Sequence, residues 1–482
     1  MSQPANPSVV PGDPHDETLL AHVAPSDWKN PEPAERYNLV VLGAGTAGLI
    51  TAAVAAGIGA RVALVERHMM GGDCLNVGCV PSKGVIRESR RAHEARSATA
   101  LGLPASEPGD VDFAAAMRRM REKRARISEE DSAARYQNEL GVDVFQGEAR
   151  FLDDETVQVG GPEGEKLRFA KAVITTGARA AAPPIPGLAE AGYRDNETIF
   201  ALTERPRRLG VIGSGPIGSE LAQAFQRLGC QVTVFEMADR IMTREDADAA
   251  AIVQRRFERE GIELVLGCGV KSVSVVDGEK RIRVACDEGN ERDFAVDEIL
   301  VGVGRAPNVE GLNLEAVGVR AERHGIVVDD ALRTTNPRIF AAGDVCMRWK
   351  FTHAADAAAK IVVRNALFPF LPKQKLSSLV MPWCTYTDPE VAHVGLYEHE
   401  ALADGITVDT IVVPLERVNR AVLDGEEEGF VKVHLKQGSD KILGATIVAS
   451  HAGEMISEIT LAMVGKLGLG TLLNVIHPYP TQ

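Results

Sequence analysis

Two stretches of the chain carry the same order of apolar and polar positions. In residues 38–50, NLVVLGAGTAGLI, a short apolar run breaks at glycines and resumes as an alanine-rich run; RVALVE then restores a strand pattern and closes on Glu66. Residues 209–236 repeat the plan, with LGVIG, then SELAQAFQRLG at helical spacing, then QVTVFE closing on Glu236. Short continuous apolar runs bounded by glycine predict buried strands, and the segments between them predict crossover helices. The pattern alone therefore predicts an α/β chain with two copies of a strand–helix–strand unit.

The glycines joining the first strand of each unit to its helix fall at Gly43, Gly45 and Gly48, and again at Gly213, Gly215 and Gly218. One such spacing is weak evidence in a chain with 46 glycines. Here each follows a strand, opens a helix and is trailed 23 positions after its first glycine by an acid, which points to dinucleotide binding. The first glycine permits the tight turn, the second lets backbone approach a pyrophosphate, and the third lets helix pack on strand. The helix N-terminus supplies amide donors and positive potential to the phosphates. Glu66 and Glu236 are each expected to accept from a ribose 2'-hydroxyl; a 2'-phosphate would meet Glu236 as a like charge, so NAD(H) is favoured over NADP(H), with Arg240 close enough to weaken the preference. Two sites imply two dinucleotides, naturally a flavin and a nicotinamide.

With 482 residues the chain is too long for one core and should form about three domains. A net charge of -14 argues against a nucleic-acid or anionic-membrane partner. The basic run Arg118, Arg119, Arg121, Lys123, Arg124 and Arg126 reads as the solvated face of a long helix. The N-terminus has no basic region leading into an apolar core, and no run of eighteen apolar residues occurs, so neither a secretory signal nor a membrane span is expected and the location expected is cytoplasmic. Residues 1–35 read as a flexible or loosely docked extension. Cysteines at 74, 79, 230, 268, 286, 346 and 384 are odd in number and, the first pair apart, scattered, as expected of isolated cytosolic thiols packing as small apolar groups.

Cys74 and Cys79 lie in GGDCLNVGCVPSK, residues 71–83, a few positions beyond Glu66 and so at the carboxyl edge of the first sheet. A helix is expected to start after Pro81, and a sulfur near its N-terminus, with Lys83 adjacent, has its thiolate stabilised. A staple closing so small a loop would constrain the unfolded chain little. A structural metal site would need ligands from elsewhere in the chain. The neighbours favour a redox couple, with no structural metal.

At this point the sequence resembles the flavin-dependent pyridine nucleotide disulfide oxidoreductases, the group of glutathione reductase, lipoamide dehydrogenase and mercuric reductase. GGDCLNVGCVPSK resembles their active-site signature, and further blocks follow in family order: ITTGA at 174–178, VGVGRAPN at 301–308, IFAAGDV at 339–345, FTHAA at 351–355 and YTDPEVAHVG at 386–395. The resemblance implies two Rossmann-like dinucleotide-binding domains plus an α+β C-terminal dimerisation domain. Its boundaries are an N-terminal extension 1–35, an FAD domain in two parts at 36–184 and 303–359, an NAD(P) domain at 185–302 and an interface domain at 360–482. It implies FAD as cofactor, a homodimer, Cys79 as the sulfur that exchanges charge with the flavin and Cys74 as the one that meets the substrate. Lys83 is expected near the flavin and paired with Glu220, Asp344 on the ribityl chain, and Gly72, Gly177, Gly304 and Gly343 at the cofactors. On chemistry alone Asp344 suits a ribose or ribityl hydroxyl, or else a Gly-Asp turn. Asp73 departs from the family pattern and places a carboxylate beside Cys74, which should disfavour a thiolate there.

The C-terminus bears on the electron acceptor. Thiol-disulfide members carry a His-Pro-Thr run whose histidine moves protons. This chain has IHPYPTQ, with Tyr479 at the catalytic position and His477 two residues earlier. A phenol is a poor base near neutrality. Mercuric reductases are similar in having tyrosine there and a second one where this sequence has Tyr193, and soft Hg(II) held transiently by Cys74 and Cys79 needs no base. Against that branch, there is no C-terminal cysteine pair and no Cys-x-x-Cys capture domain, and Glu236 fits the NAD-linked lipoamide branch, whose members dock to lipoyl-bearing partners. Either Hg(II) or a similar metal ion, or a small dithiol or disulfide such as lipoamide, is the expected acceptor, with an oxidase or peroxidase disfavoured by the two-cysteine motif.

Overall fold

The computed structural model describes residues 10–98, 102, 111–286 and 290–482. Its first sheet is built on strand Tyr37–Leu42, which runs parallel to Val62–Glu66 on one side and Lys166–Ile174 on the other, with Val41 opposite Leu64 and Val173. Asp143–Gln146 extends the sheet beyond Val62–Glu66, and Ile339–Ala341 returns from far along the chain to pair parallel with Lys166–Ile174. Leu39, Val40, Val41 and Val173 are fully buried, because helices and chain cover both faces, and this is why the strands read as continuous apolar runs. Helices Thr46–Gly57 and Thr352–Leu367 pack against one another on this sheet through Ala52, Ala55, Ala354 and Ala358; small side chains let the two backbones close up.

The second sheet repeats the plan. Its order is Glu263–Val265, Gln231–Phe235, Arg208–Ile212, Glu298–Val301, all parallel, with an antiparallel three-stranded layer of Cys268–Val276, Glu279–Cys286 and Glu291–Val296 beside it. The third is a five-stranded antiparallel sheet running Pro382–Thr385, Glu390–Gly395, Ile442–Ala449, Phe430–Lys436, Val408–Pro414, covered by helix Ala452–Val464. The fold is thus mixed α/β with a C-terminal antiparallel sheet. Among the described residues no helix is long and apolar enough to cross a membrane.

Three expectations are corrected. Residues 10–35 are not loosely held: Pro14–Val23 forms a helix whose Leu19 and Val23 are fully buried in the first core, while residues 1–9 lie outside the described residues. The basic run is not wholly a solvated face, since Arg121 and Arg124 are buried and pair with Asp13 and Asp16 of that helix. Cys268 and Cys286 are not isolated thiols; they oppose each other across the antiparallel register and are joined in a disulfide. Pairing set by strand register leaves no trace in a list of cysteine positions.

Candidate active site

After strand Val62–Glu66 the chain turns through Gly71 and Gly72, both at positive φ, into a short helix Gly72–Asn76 and then helix Cys79–Ser97. The second helix starts at Cys79 itself, two residues before Pro81, so this sulfur stands on the first helical residue. A side chain at Gly72 would bring a Cβ within 2.6 Å of the Gly45 Cα, and the Gly71 amide donates to the Ala44 carbonyl at 2.8 Å. The cysteine loop is therefore laced to the first glycine turn. Buried Asn76 holds the loop from inside, its Nδ2 donating to the Met70 and Gly72 carbonyls, each at 2.9 Å.

Cys74 and Cys79 are free thiols, each perturbing the titration of the other. Cys79 opens onto an internal cavity and lies 3.3 Å from the Thr352 hydroxyl. The Cys79 thiol is pulled down to about 6, chiefly by the hydrogen bond from Cys74, with further help from Thr352 and the Lys83 charge, against burial and Glu220. Cys74 moves the opposite way, raised by donating to Cys79 and by burial. A proton shared by the pair therefore resides on Cys74. Thr352 begins helix Thr352–Leu367, whose N-cap Phe351 makes no side-chain cap bond, so uncapped amides and the positive end of the helix dipole face the same region.

Lys83 Nζ donates to Glu220 Oε2 at 2.8 Å and sits 4.4 Å over the Tyr386 ring, while Glu220 Oε1 accepts from the Tyr386 amide at 2.9 Å. Burial opposes the charge on Lys83, but the Glu220 carboxylate more than offsets it and holds the amine above its ordinary value. Asp73 does not act on Cys74 as expected. Its carboxylate is ion-paired with Arg305, whose Nε also lies 3.4 Å from Asp344 and whose Nη2 donates to the Ala178 carbonyl at 2.8 Å. The charge of Asp73 is thus neutralised away from the sulfur. Burial raises Asp344, against the pull of Arg305 and Lys350.

The two glycine turns are built alike. Gly43 and Gly213 adopt φ of 102° and 96°, and a Cβ at Gly48 or Gly218 would lie 1.8 or 2.0 Å from the carbonyl oxygen of Gly43 or Gly213. Gly45 and Gly215 cap helices Thr46–Gly57 and Pro216–Arg227 without a side-chain bond, leaving amides for a phosphate. Glu66 accepts from the Ala44 amide at 2.7 Å and the His68 amide at 2.8 Å; Glu236 accepts from the Ser214 amide, the Ser214 hydroxyl and the Ala238 amide at 3.0, 2.7 and 3.1 Å. Although burial opposes it, these bonds hold Glu236 below its ordinary value. Arg240 spends its guanidinium on the carbonyls of Met242, Thr243 and Glu245 at 3.0, 2.8 and 3.2 Å.

One cavity of about 3190 Å³ joins these parts. It is several times the roughly 300–1,000 Å³ of a common small-molecule pocket. Gly43, Gly45, Glu66, Gly72, Gly177 and Asp344 line it, as do Gly343 and Gly304. The sulfur pair with Lys83 and Glu220 also faces it, as do Gly213, Gly215 and Glu236. Gly48 and Gly218 stand behind their turns. Backbone cradles that no Cβ could enter, uncapped helix ends and hydrogen-bonded carboxylates fit two dinucleotides, of which Gly43, Gly45, Glu66 and Asp344 would hold the first and Gly213, Gly215 and Glu236 the second.

Three expected residues are elsewhere. Tyr193 lines a separate pocket of about 290 Å³ beside Leu188 and Ile185. His477 and Tyr479 are exposed on the C-terminal domain: His477 Nε2 lies 2.8 Å from Glu458, and the Tyr479 hydroxyl accepts from Asn419 at 3.1 Å, so the two diverge to different elements. Residues not anticipated at the site are Thr352, Arg305, Tyr386 and His353, the last lining the cavity with Nε2 2.7 Å from the Pro382 carbonyl. Their only signal was membership of the blocks VGVGRAPN, FTHAA and YTDPEVAHVG. Among the described residues no group of three or more His, Cys, Asp or Glu is placed to hold a metal ion.

Comparison with known proteins matches residues 37–359 to the family model of pyridine nucleotide-disulphide oxidoreductase and residues 381–482 to that family's dimerisation domain. A mercuric reductase of Bacillus cereus is 36% identical over 450 residues, covering 92% of this chain and 70% of the relative. A dihydrolipoyl dehydrogenase of Chlamydia muridarum is 31% identical over 450 residues, covering 93% of this chain and 94% of its own. Among solved structures, the HOCl-induced flavoprotein disulfide reductase RclA from Escherichia coli superposes with a TM-score of 0.82 at 28% identity, over 92% of this chain and 97% of that one.

Proposed function

The chain belongs to the pyridine nucleotide-disulphide oxidoreductase family and carries its dimerisation domain, and from that premise we propose that it reduces a thiophilic acceptor, Hg(II) or a similar soft cation, at the expense of NADH, with Cys74 and Cys79 as the working sulfur couple. The family implies FAD, which when bound supplies two-electron transfer between the nicotinamide and the sulfurs. The observation that carries the reading is the placement of Cys79 on the first residue of its helix, facing the cavity with Cys74, 3.3 Å from the Thr352 hydroxyl and beside the Lys83–Glu220 pair. A soft cation takes the Cys79 thiolate and displaces the Cys74 proton to solvent, with no added base needed, and the two sulfurs close to the disulfide as Hg(II) leaves as Hg(0), so that charge and electrons balance. Lys83, fixed by Glu220, keeps a positive charge against the sulfur through that cycle.

NADH over NADPH is supported by Glu236, already ionised at the second turn, and by Arg240, whose guanidinium is committed to carbonyls. A homodimer is supported by the apolar surface of the C-terminal domain, where Leu461 is 69%, Leu473 86% and Ile476 95% exposed. A second reading, a dithiol or disulfide acceptor such as lipoamide with docking to a lipoyl-bearing partner, is favoured by the contact between His477 and Glu458. A histidine oriented by a carboxylate is suited to proton transfer, and in a dimer the C-terminal segment of one protomer would reach the cavity of the other.

Anaerobic titration with NADH or NADPH, followed by Hg(II), lipoamide or oxidised glutathione, tests both readings through recovery of the flavin absorbance. Recovery with Hg(II) after NADH is the expected result. Recovery with lipoamide alone would replace the first reading by the second.

A further inference from the structure

The segment before the first strand is built into the molecule at both ends. Asp13 caps helix Pro14–Val23 by accepting from the His15 and Asp16 amides, and Asp16 accepts in return from the Asp13 amide at 3.2 Å. Asp16 then pairs with Arg124 at 3.0 Å, the two side chains being 1% and 0% exposed. A buried ion pair of this kind costs desolvation on both sides and persists only where both partners are held. Past the helix, the Val23 carbonyl accepts from the Met70 amide at 3.0 Å. Trp28 Nε1 donates to the Val144 carbonyl at 3.2 Å, and the Asn30 amide group exchanges two bonds with the Gln146 backbone, at 2.7 and 3.1 Å. Asn30 thus acts as one more rung on the open edge of strand Asp143–Gln146.

The same segment forms a wall of the large cavity. Leu20, Ala21, Trp28 and Asn30 line it together with Glu66 and His68, which stand at the end of the strand following the first glycine turn. Glu66 marks the ribose position of the first dinucleotide, so this wall stands at the adenosine end of the flavin site; its lining offers Leu20, Ala21 and Trp28 to the flat face of a purine and Glu17 and Asn30 to its polar edge. The wall is also wired to the sulfurs: Arg124, which holds Asp16, donates to the Asn76 carbonyl at 2.7 Å, and Asn76 is the residue that pins the cysteine loop.

We propose that residues 10–30 are a clamp on the adenosine end of the flavin, which must lift before the dinucleotide can leave, and that through Arg124 and Asn76 the docked clamp also fixes the cysteine loop. The proposal is independent of which acceptor takes the electrons.

The test measures flavin release from the purified holoprotein by the rise in flavin fluorescence on dilution. It compares the wild type with Leu19→Asp, which undocks the helix, and with the double variant Trp28→Ala/Asn30→Ala. Amide hydrogen exchange of residues 14–23 is followed in parallel with and without flavin. Both variants should release flavin at least about tenfold faster, and the helix amides should be better protected in the holoprotein than in the apoprotein. If Leu19→Asp does not fold, the double variant, altered only at half-buried positions of the cavity wall, decides the outcome. Release unchanged in the double variant, or helix protection indifferent to flavin, overturns the clamp.

Discussion

Replacing Thr352 by valine removes one hydroxyl while keeping side-chain shape, and it bears directly on the sulfur chemistry. The Thr352 hydroxyl lies 3.3 Å from Cys79 and helps hold that thiol at about 6. A hydrogen bond to a charged group contributes about 1.5–3 kcal/mol, and one pKa unit corresponds to about 1.36 kcal/mol. A long oxygen–sulfur contact belongs at the lower figure, so the inflection of Cys79 in Thr352→Val should rise by roughly one pH unit above that of the wild type. Cys74 and Lys83 still favour the thiolate in the variant, which is why the shift stops there. The sign is fixed by the direction of the perturbation: the thiolate is present above the pKa of Cys79 and is lost as the pH falls through it, so the variant loses reactivity at a higher pH than the wild type. The assay is the rate of alkylation of the reduced protein by iodoacetamide against pH, with the modified cysteine identified by mass spectrometry. An inflection that remains near the wild-type value, or first alkylation at Cys74, would falsify the assignment of the thiolate and of what stabilises it.

Other outcomes follow from the same geometry. Asp16→Asn and Arg124→Met should each destabilise the fold by about 3–5 kcal/mol in denaturant titration, because each strands a buried charge, while the double variant should cost clearly less than their sum. Glu236→Gln keeps the shape of the second turn but removes the charge, so the KM for NADPH should fall relative to that for NADH with kcat little changed; an unaltered ratio would mean that Glu236 does not select the nicotinamide. Cys79→Ser should abolish acceptor reduction while flavin remains bound, and full turnover in that variant would remove the sulfur mechanism altogether.

What the sequence disclosed is what is local in the chain. Each glycine turn lies 23 positions before the acid that closes its unit, the cysteine loop follows Glu66 directly, and such spacing reflects backbone geometry that any chain making such a turn must satisfy. The pairing of Lys83 with Glu220 came from resemblance, since nothing in the spacing of those residues joins them. Contacts made across the fold were hidden. Arg121 and Arg124 sit in a basic run that looks solvated until the N-terminal helix is laid on it, and Asp73 looks like a charge beside Cys74 until Arg305 arrives from the opposite side of the site. Tyr193 packs in a separate pocket beside Leu188 and Ile185, a placement set by the bridge of its neighbour Arg194 to Leu300 far along the chain.

Glu220 touches Lys83 from the first sheet's domain and the Tyr386 backbone from the third with its two carboxylate oxygens, while itself belonging to the second. Anyone assembling a hybrid by transplanting the middle portion of a relative would therefore inherit a demand out of proportion to one side chain. The graft would have to present a carboxylate at that spot, or a lysine would be left beside the reactive sulfur without its counter-charge.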